Sequence, residues 1–211
     1  MDCQDWLNLL KKHRLLAVIR APDLATGLEM ARAAEQGGVR LIEITWDSEQ
    51  PEELVGYLRQ DLPHCWIGAG TLLTLAEAKQ AIAVGAQFGF SPFTDVSLLE
   101  LGLERAVPMV AGALTPTEIV TAWRAGAAGV KVFPISAVGG AAYIRSLQGP
   151  LPAIPLIPTG GVTPDNAQAL LEAGAIAIGL SGSLFPPAQV QKRDWTGIAQ
   201  QIEALLQRLA T

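Results

Sequence analysis

Lys131 stands in the middle of Gly129-Val130-Lys131-Val132-Phe133-Pro134, and no other lysine occurs between Lys79 and Lys192. A short β-branched, apolar run of this kind reads as a buried strand, where a cationic side chain is costly unless the site uses it. Burial disfavours an ammonium ion, and a buried neutral amine is a nucleophile towards carbonyl carbon. The competing reading is an edge-strand lysine with its stem on apolar surface and its head in water. Glu43, within Leu41-Ile42-Glu43-Ile44-Thr45, poses the same problem with the opposite charge. Schiff-base chemistry needs an amine, a group that shuttles protons and a seat for the substrate's charges. Lys131 supplies the first and Glu43 the second. The third reads from Thr159-Gly160-Gly161 and Leu180-Ser181-Gly182-Ser183, two glycine turns that expose backbone N–H groups. With a short helix beginning near Ser181, they form a phosphate cup. A structural ion pair between Lys131 and Glu43 is the alternative for those two residues, and pairing, direct or through water, is expected in either case.

The elements that must position these groups alternate along the chain. Apolar, β-rich runs fall at Leu16–Ile19, Leu41–Thr45, Trp66–Ala69, Phe88–Phe90, Pro108–Ala111, Gly129–Phe133, Pro155–Pro158 and Ala175–Leu180. Segments of helical spacing follow them, including Leu24–Gln36, Thr74–Val84, Thr115–Ala125 and Thr163–Ala173. Capping residues such as Asp23, Thr115 and Thr163 open these helices, and Gly37, Gly85, Gly126 and Gly174 close them. An amphipathic helix carrying Trp6, Leu9 and Leu10 comes first, and one carrying Ile202, Leu205, Leu206 and Leu209 comes last, closing the barrel. Eight strand-helix units in 211 residues predict an α/β fold, a (β/α)₈ TIM barrel with an N-terminal helix. A doubly wound open sheet is the alternative, but the turn after the first strand, Arg20-Ala21-Pro22-Asp23, has no glycine. No linker or shift in composition divides residues 1–211, so one domain is expected. In a barrel the active site lies at the carboxyl ends of the strands. If Glu43 and Lys131 face inward, so do Leu41 and Thr45, while Ile42, Ile44, Val130 and Val132 pack against helices.

Composition sets the outer bounds. A net charge of -5 and the lack of a basic stripe exclude nucleic acid as an expected partner. No apolar run approaches the roughly 20 residues that span a bilayer, and Met1–Asp5 does not open a signal peptide, so a cytoplasmic protein with no membrane contact is expected. Cys3 and Cys65 read as free thiols. His13 and His64 are both read as surface residues, and with them as the only histidines no metal site can be assembled. Trp46 falls at the barrel mouth beside Thr45.

In order and spacing these pieces resemble the 2-keto-3-deoxy-6-phosphogluconate (KDPG) and 4-hydroxy-2-oxoglutarate (KHG) aldolase family. The matching segments are Val18-Ile19-Arg20, Ile42-Glu43-Ile44-Thr45, Gly68-Ala69-Gly70-Thr71, Ser91-Pro92, Gly129–Pro134 and Pro158-Thr159-Gly160-Gly161-Val162, spread from Leu16 to about Pro187. The resemblance implies Lys131 as Schiff-base lysine and Glu43 as general acid/base. It implies Gly160, Gly161, Ser181 and Gly182 as the phosphate seat, with Ser183 beside them. Arg20, Thr71, Phe133, Thr159 and Asp47 are the implied substrate contacts, no cofactor is needed, and a homotrimer is implied.

The chain departs from the KDPG pattern after the catalytic glutamate. That branch reads Glu-Val-Thr-Leu-Arg-Thr, its arginine holding the substrate carboxylate, whereas Glu43-Ile44-Thr45-Trp46-Asp47-Ser48 puts aspartate there. The 6-phosphogalactonate branch has Asn at that place and an arginine at the end of strand one, which Arg20 matches. A second departure, Phe93 after Ser91-Pro92, is expected to narrow the pocket. A carboxylate near a substrate carboxylate repels it by roughly 1 kcal/mol at about 4 Å in water. Asp47 must therefore point away, bind a substrate hydroxyl or be neutralised, Arg20 being the nearest cation. The expected reaction is cleavage of a 2-keto-3-deoxy-6-phospho sugar acid to pyruvate and glyceraldehyde 3-phosphate. KHG or the galactonate-type acid are alternative substrates. An isomerase or synthase with Glu43 as base, and a weakly catalytic barrel that binds phosphorylated acids, are the rivals.

Overall fold

The computed structural model describes residues 2–210. The strands are β1 (Leu15–Ile19), β2 (Leu41–Thr45), β3 (Trp66–Gly70), β4 (Gly89–Phe90), β5 (Met109–Ala113), β6 (Val130–Val132), β7 (Leu156–Pro158) and β8 (Ile178–Leu180). The helices are α1 (Cys3–His13), α2 (Leu24–Gln36), α3 (Pro51–Asp61), α4 (Leu75–Ala83), α5 (Val96–Arg105) and α6 (Pro116–Arg124). After them come α7 (Ala141–Gln148), α8 (Ala167–Glu172), α9 (Pro187–Lys192) and α10 (Trp195–Leu209). All strand pairs are parallel in the order β7-β6-β5-β4-β3-β2-β1-β8. A Thr159–Gly179 bridge and the Ile176 N–H to Leu156 carbonyl bond draw β7 and β8 together, so the sheet curls into a barrel.

The local signals explain most helix ends. Asp23, Thr74 and Thr115 accept the third backbone N–H of α2, α4 and α6, and Glu77 and Glu118 complete capping boxes. The segment expected to be helical from Thr163 starts its helix only at Ala167. There the Asn166 side chain accepts from the Thr163 N–H and donates to the Gly161 carbonyl, which closes a separate turn first. No helix among the described residues is long and apolar enough to cross a membrane.

Alternation along the strands sorts apolar side chains into two cores. Ala17, Ile42, Ile44, Ile67, Val130, Val132 and Leu180 face outward and pack with the helical ring. Leu16, Val18, Leu41, Phe88, Phe90, Val110 and Ile157 fill the barrel with Trp6 and Leu10 of α1. The plug therefore comes from the first helix. The last helix, α10, buries Ile198, Ile202, Leu205 and Leu209 in the outer layer against α2 and so closes the ring of helices only. Trp46 is buried in that outer layer too, away from the mouth cavity.

Trp6 is wholly buried, its ring centroid 4.9 Å from that of Phe88 and 6.4 Å from that of Phe90. Truncating so large a side chain leaves a void that the surrounding strands cannot collapse into. Trp6→Ala should lower the unfolding free energy by about 3–5 kcal/mol in a urea titration, the range for large aromatic truncations. A loss below about 1 kcal/mol would show that the plug is dispensable.

Candidate active site

β2 and β6 lie four strands apart in a barrel of eight, so Glu43 and Lys131 approach from facing walls near the carboxyl ends. Lys131 is 5% exposed, and its Nζ lies 5.1 Å from the Phe133 ring centroid and 6.0 Å from that of Phe90. Aromatic faces thus take the place of a carboxylate partner. Glu43 is wholly buried, and neither carboxyl oxygen has a hydrogen-bond partner among the described residues. Of the two forms of pairing expected, the direct ion pair with Lys131 is not made. Burial pushes the Glu43 carboxyl above its ordinary pKa of 4.5, while the charges of Lys131 and Arg20 pull it the other way. Burial is the larger effect, and the pKa is raised.

Glu43 fits because the next strand gives way to it. Gly70 lies in register with Thr45, and a Cβ there would overlap the Glu43 carboxyl. The chain then turns at Thr71, whose φ of 55° is uncommon for a β-branched residue and sets it in the cavity wall. Gly70 is the position that makes room for Glu43, and in the sequence it stands only among the segments that carry the family resemblance. The signal was present, because a glycine in a strand marks close approach of another group.

A cavity of ≈ 400 Å³ opens over these residues. Arg20, Phe133 and Thr159 line it with Glu43, Lys131 and Thr71. Gly160, Gly161, Ser181, Gly182 and Ser183 form its far end. Val18, Thr45, Pro92, Val162, Thr163 and Gly179, not expected as contacts, complete the wall. Gly161 has φ 87°, and a Cβ on it would run into the Ser136 side chain. The backbone N–H groups of Gly161, Val162, Gly182 and Ser183 are not donated to any other group among the described residues. They are free for an anion. The helix expected at Ser181 is one turn only, with the Leu184 and Phe185 N–H groups on the Ser181 carbonyl, before α9 begins at Pro187. Ser183 spends its hydroxyl proton on the Val162 carbonyl at 2.8 Å, which ties the two cup turns together.

Asp47 is the expected contact that does not line the cavity. Its Oδ2 accepts from Arg20 Nε at 2.8 Å. Partial burial works against the Asp47 carboxylate, but hydrogen bonds from Thr45 and Arg20 hold its pKa below the usual value. Phe93 does not narrow the pocket as expected; it is 42% exposed and points outside the lining, because its own N–H and carbonyl are held by Ser91 and Gly112. Neither His13 nor His64 is in the cavity, and His13 is partly buried, its pKa lowered mainly by that burial.

Comparison with known proteins bears on this arrangement. Residues 7–201 match the family model described as KDPG and KHG aldolase. A 2-dehydro-3-deoxy-phosphogluconate aldolase of Pseudomonas aeruginosa is 34% identical over 207 residues, covering 96% of this chain and 92% of that protein. The crystal structure of a KDPG aldolase from Legionella pneumophila, with pyruvate captured as a covalent carbinolamine, superposes with TM-score 0.87 at 25% identity, covering 94% of this chain and 97% of that one. A cube-shaped protein cage designed by fusing symmetric oligomeric domains aligns with TM-score 0.83 at 29% identity, over 92% of this chain and 71% of its own.

The Glu43 environment has a measurable consequence. Its folded-state pKa lies above the unfolded value, so the folded protein holds the extra proton between the two and stability falls as pH rises through that window. Glu43→Gln removes the titration. Melting temperatures of the two proteins should coincide at about pH 4 and separate in favour of the variant as pH rises towards neutrality. Curves that stay parallel from acid to neutral pH would show that the carboxyl is not desolvated.

Proposed function

Because the chain belongs to the KDPG and KHG aldolase family, we propose that Lys131 is its Schiff-base amine and Glu43 its proton shuttle. The observation that carries this reading is that both are buried on facing walls of the barrel interior, Lys131 near aromatic rings and Glu43 with no hydrogen-bond partner among the described residues. The protein is a class I aldolase, a lyase, and in this reading it cleaves a 2-keto-3-deoxy-6-phospho sugar acid to pyruvate and glyceraldehyde 3-phosphate. KHG and the galactonate-type acid are not favoured as substrates, nor is a barrel that only binds.

In this reading Lys131 loses a proton and attacks C2 of the keto acid. Glu43, its pKa raised by burial, gives a proton to the carbinolamine hydroxyl, which leaves as water and creates the iminium. Glu43, now a carboxylate, takes the C4 hydroxyl proton; C3–C4 breaks, and the bonding pair moves into the iminium to give the enamine as the aldehyde departs. Glu43 returns a proton to C3, and water releases pyruvate from Lys131. Arg20 and Thr71 hold the carboxylate, Thr159 and Phe133 flank the carbon chain, and the N–H groups of the glycine turns take the phosphate.

The likeness to a cage built from symmetric oligomeric domains supports a homotrimer. Leu73, Leu75, Phe93 and Val96, exposed on the segments that follow β3 and β4, are the apolar surface for a second copy of the chain. One catalytic domain spanning the chain and a cytoplasmic setting complete the proposal.

Treatment with pyruvate and borohydride should add the mass of one reduced pyruvyl group to Lys131, and Lys131→Ala should abolish both the adduct and cleavage. No mass change in the parent protein would sink the Schiff-base reading. For the cup, Gly161→Val should raise the KM of a phosphorylated substrate by at least about tenfold, the scale of charge-assisted hydrogen bonds lost at one site. Its effect on an unphosphorylated analogue should be small; equal loss on both would mean general damage.

A further inference from the structure

We propose that Asp47 is a positioning residue that aims Arg20 at the carboxylate of the 2-oxo acid, by occupying the Nε edge of the guanidinium. This rests on the reading of Arg20 as the carboxylate contact and goes one step further, to what holds Arg20 in place.

β1 and β2 are parallel neighbours with Ile19 in register with Ile44, so the loops that leave them start side by side. The two loops are clipped together at Ala21. Its N–H donates to the buried Ser48 Oγ at 3.0 Å, and its carbonyl accepts the Glu49 N–H at 3.1 Å. Asp47 is thereby fixed next to the residues that follow β1. From there it takes the Arg20 Nε–H at 2.8 Å while staying out of the cavity wall that Arg20 lines.

The side chains of the pair are 55% and 50% exposed, and ion pairs as exposed as this contribute little to stability. Its effect is geometric. A guanidinium carries five N–H donors in a rigid fork and can meet a carboxylate along its Nε edge or end-on through its two Nη groups. With Nε taken, only end-on contact through the Nη groups remains. Four side-chain torsions that a bound acid would otherwise have to freeze are already set, which lowers the cost of binding. Asp47 also offsets the charge of Arg20, so the mouth attracts anions through the oriented Nη groups and not through a loose cation.

The test separates orientation from general damage. Asp47→Ala should raise the KM for pyruvate in the condensation direction by about tenfold, the scale of one charge-assisted hydrogen bond. The KM for the aldehyde and kcat should stay within about twofold, because only one half of the substrate loses its contact. Asp47→Asn keeps an acceptor for Nε–H and should recover most of the pyruvate affinity. Arg20→Ala should raise the pyruvate KM, and adding Asp47→Ala to it should raise that KM no further. Independent, multiplying effects of the two changes, or an Asp47→Ala protein that loses both substrates equally, would overturn the proposal. If Arg20→Ala leaves the pyruvate KM unchanged, the underlying assignment of Arg20 falls as well. If Arg20→Ala raises it and Asp47→Ala does not, only the role of Asp47 falls.

Discussion

The structure turns on a wholly buried carboxyl group that has no hydrogen-bond partner among the described residues. Desolvation opposes an ionised Glu43 and raises its pKa, and the fold keeps the carboxyl there nonetheless. Everything near it accommodates that choice. Gly70 leaves out a side chain so that the carboxyl can lie against β3, and Lys131 stands near enough to be felt but is seated over Phe133 and Phe90. A tight ion pair would have lowered the free energy of the resting site. It would also have tied up the carboxyl that the proposed mechanism uses as a proton shuttle.

A site that gives up stability in this way needs it from elsewhere. The barrel interior below Glu43 is apolar and aromatic, and the Trp6–Phe88–Phe90 cluster fills it from the amino end. The larger core lies outside the strands, where Ile42, Ile44, Val130 and Val132 pack into the helical ring. Each of these alternates with a polar inward residue, so the strands that present Glu43 and Lys131 are the same ones anchored on their other face. Rigidity of the catalytic pair and strength of the outer core are two results of one period-two pattern.

That pattern is why so much was legible in the sequence. Lys131 and Glu43 stand out as charges in β-branched runs, and the facing of Ile42, Ile44, Val130 and Val132 follows from them by alternation. Helix starts at Asp23, Thr74 and Thr115 are local events that a side chain and its third neighbour decide between them. What escaped depends on contacts distant in sequence. The late start of α8 is set by Asn166 reaching back to Gly161, and the outward turn of Phe93 by its bonds to Ser91 and Gly112. Missing ion-pair contact between Glu43 and Lys131 depends on where two rings sit, which no spacing rule reports. Composition could not tell whether α1 or α10 plugs the barrel, since both are amphipathic; the large flat ring of Trp6, matched to Phe88, decides it.

The departure at Asp47 shows how a loop residue outside a cavity can still shape what happens within it. An aspartate placed directly against an anionic substrate would oppose binding. Here it is drawn aside by Arg20, and the clip at Ala21 keeps both loops in register, so the negative charge is spent on orienting the positive one. Arg20 then acts on two partners at once: its charge reaches Glu43, where it lowers the pKa that burial raises, and its free edge lines the cavity. A substrate carboxylate bound at that edge would neutralise Arg20 and weaken its pull on Glu43.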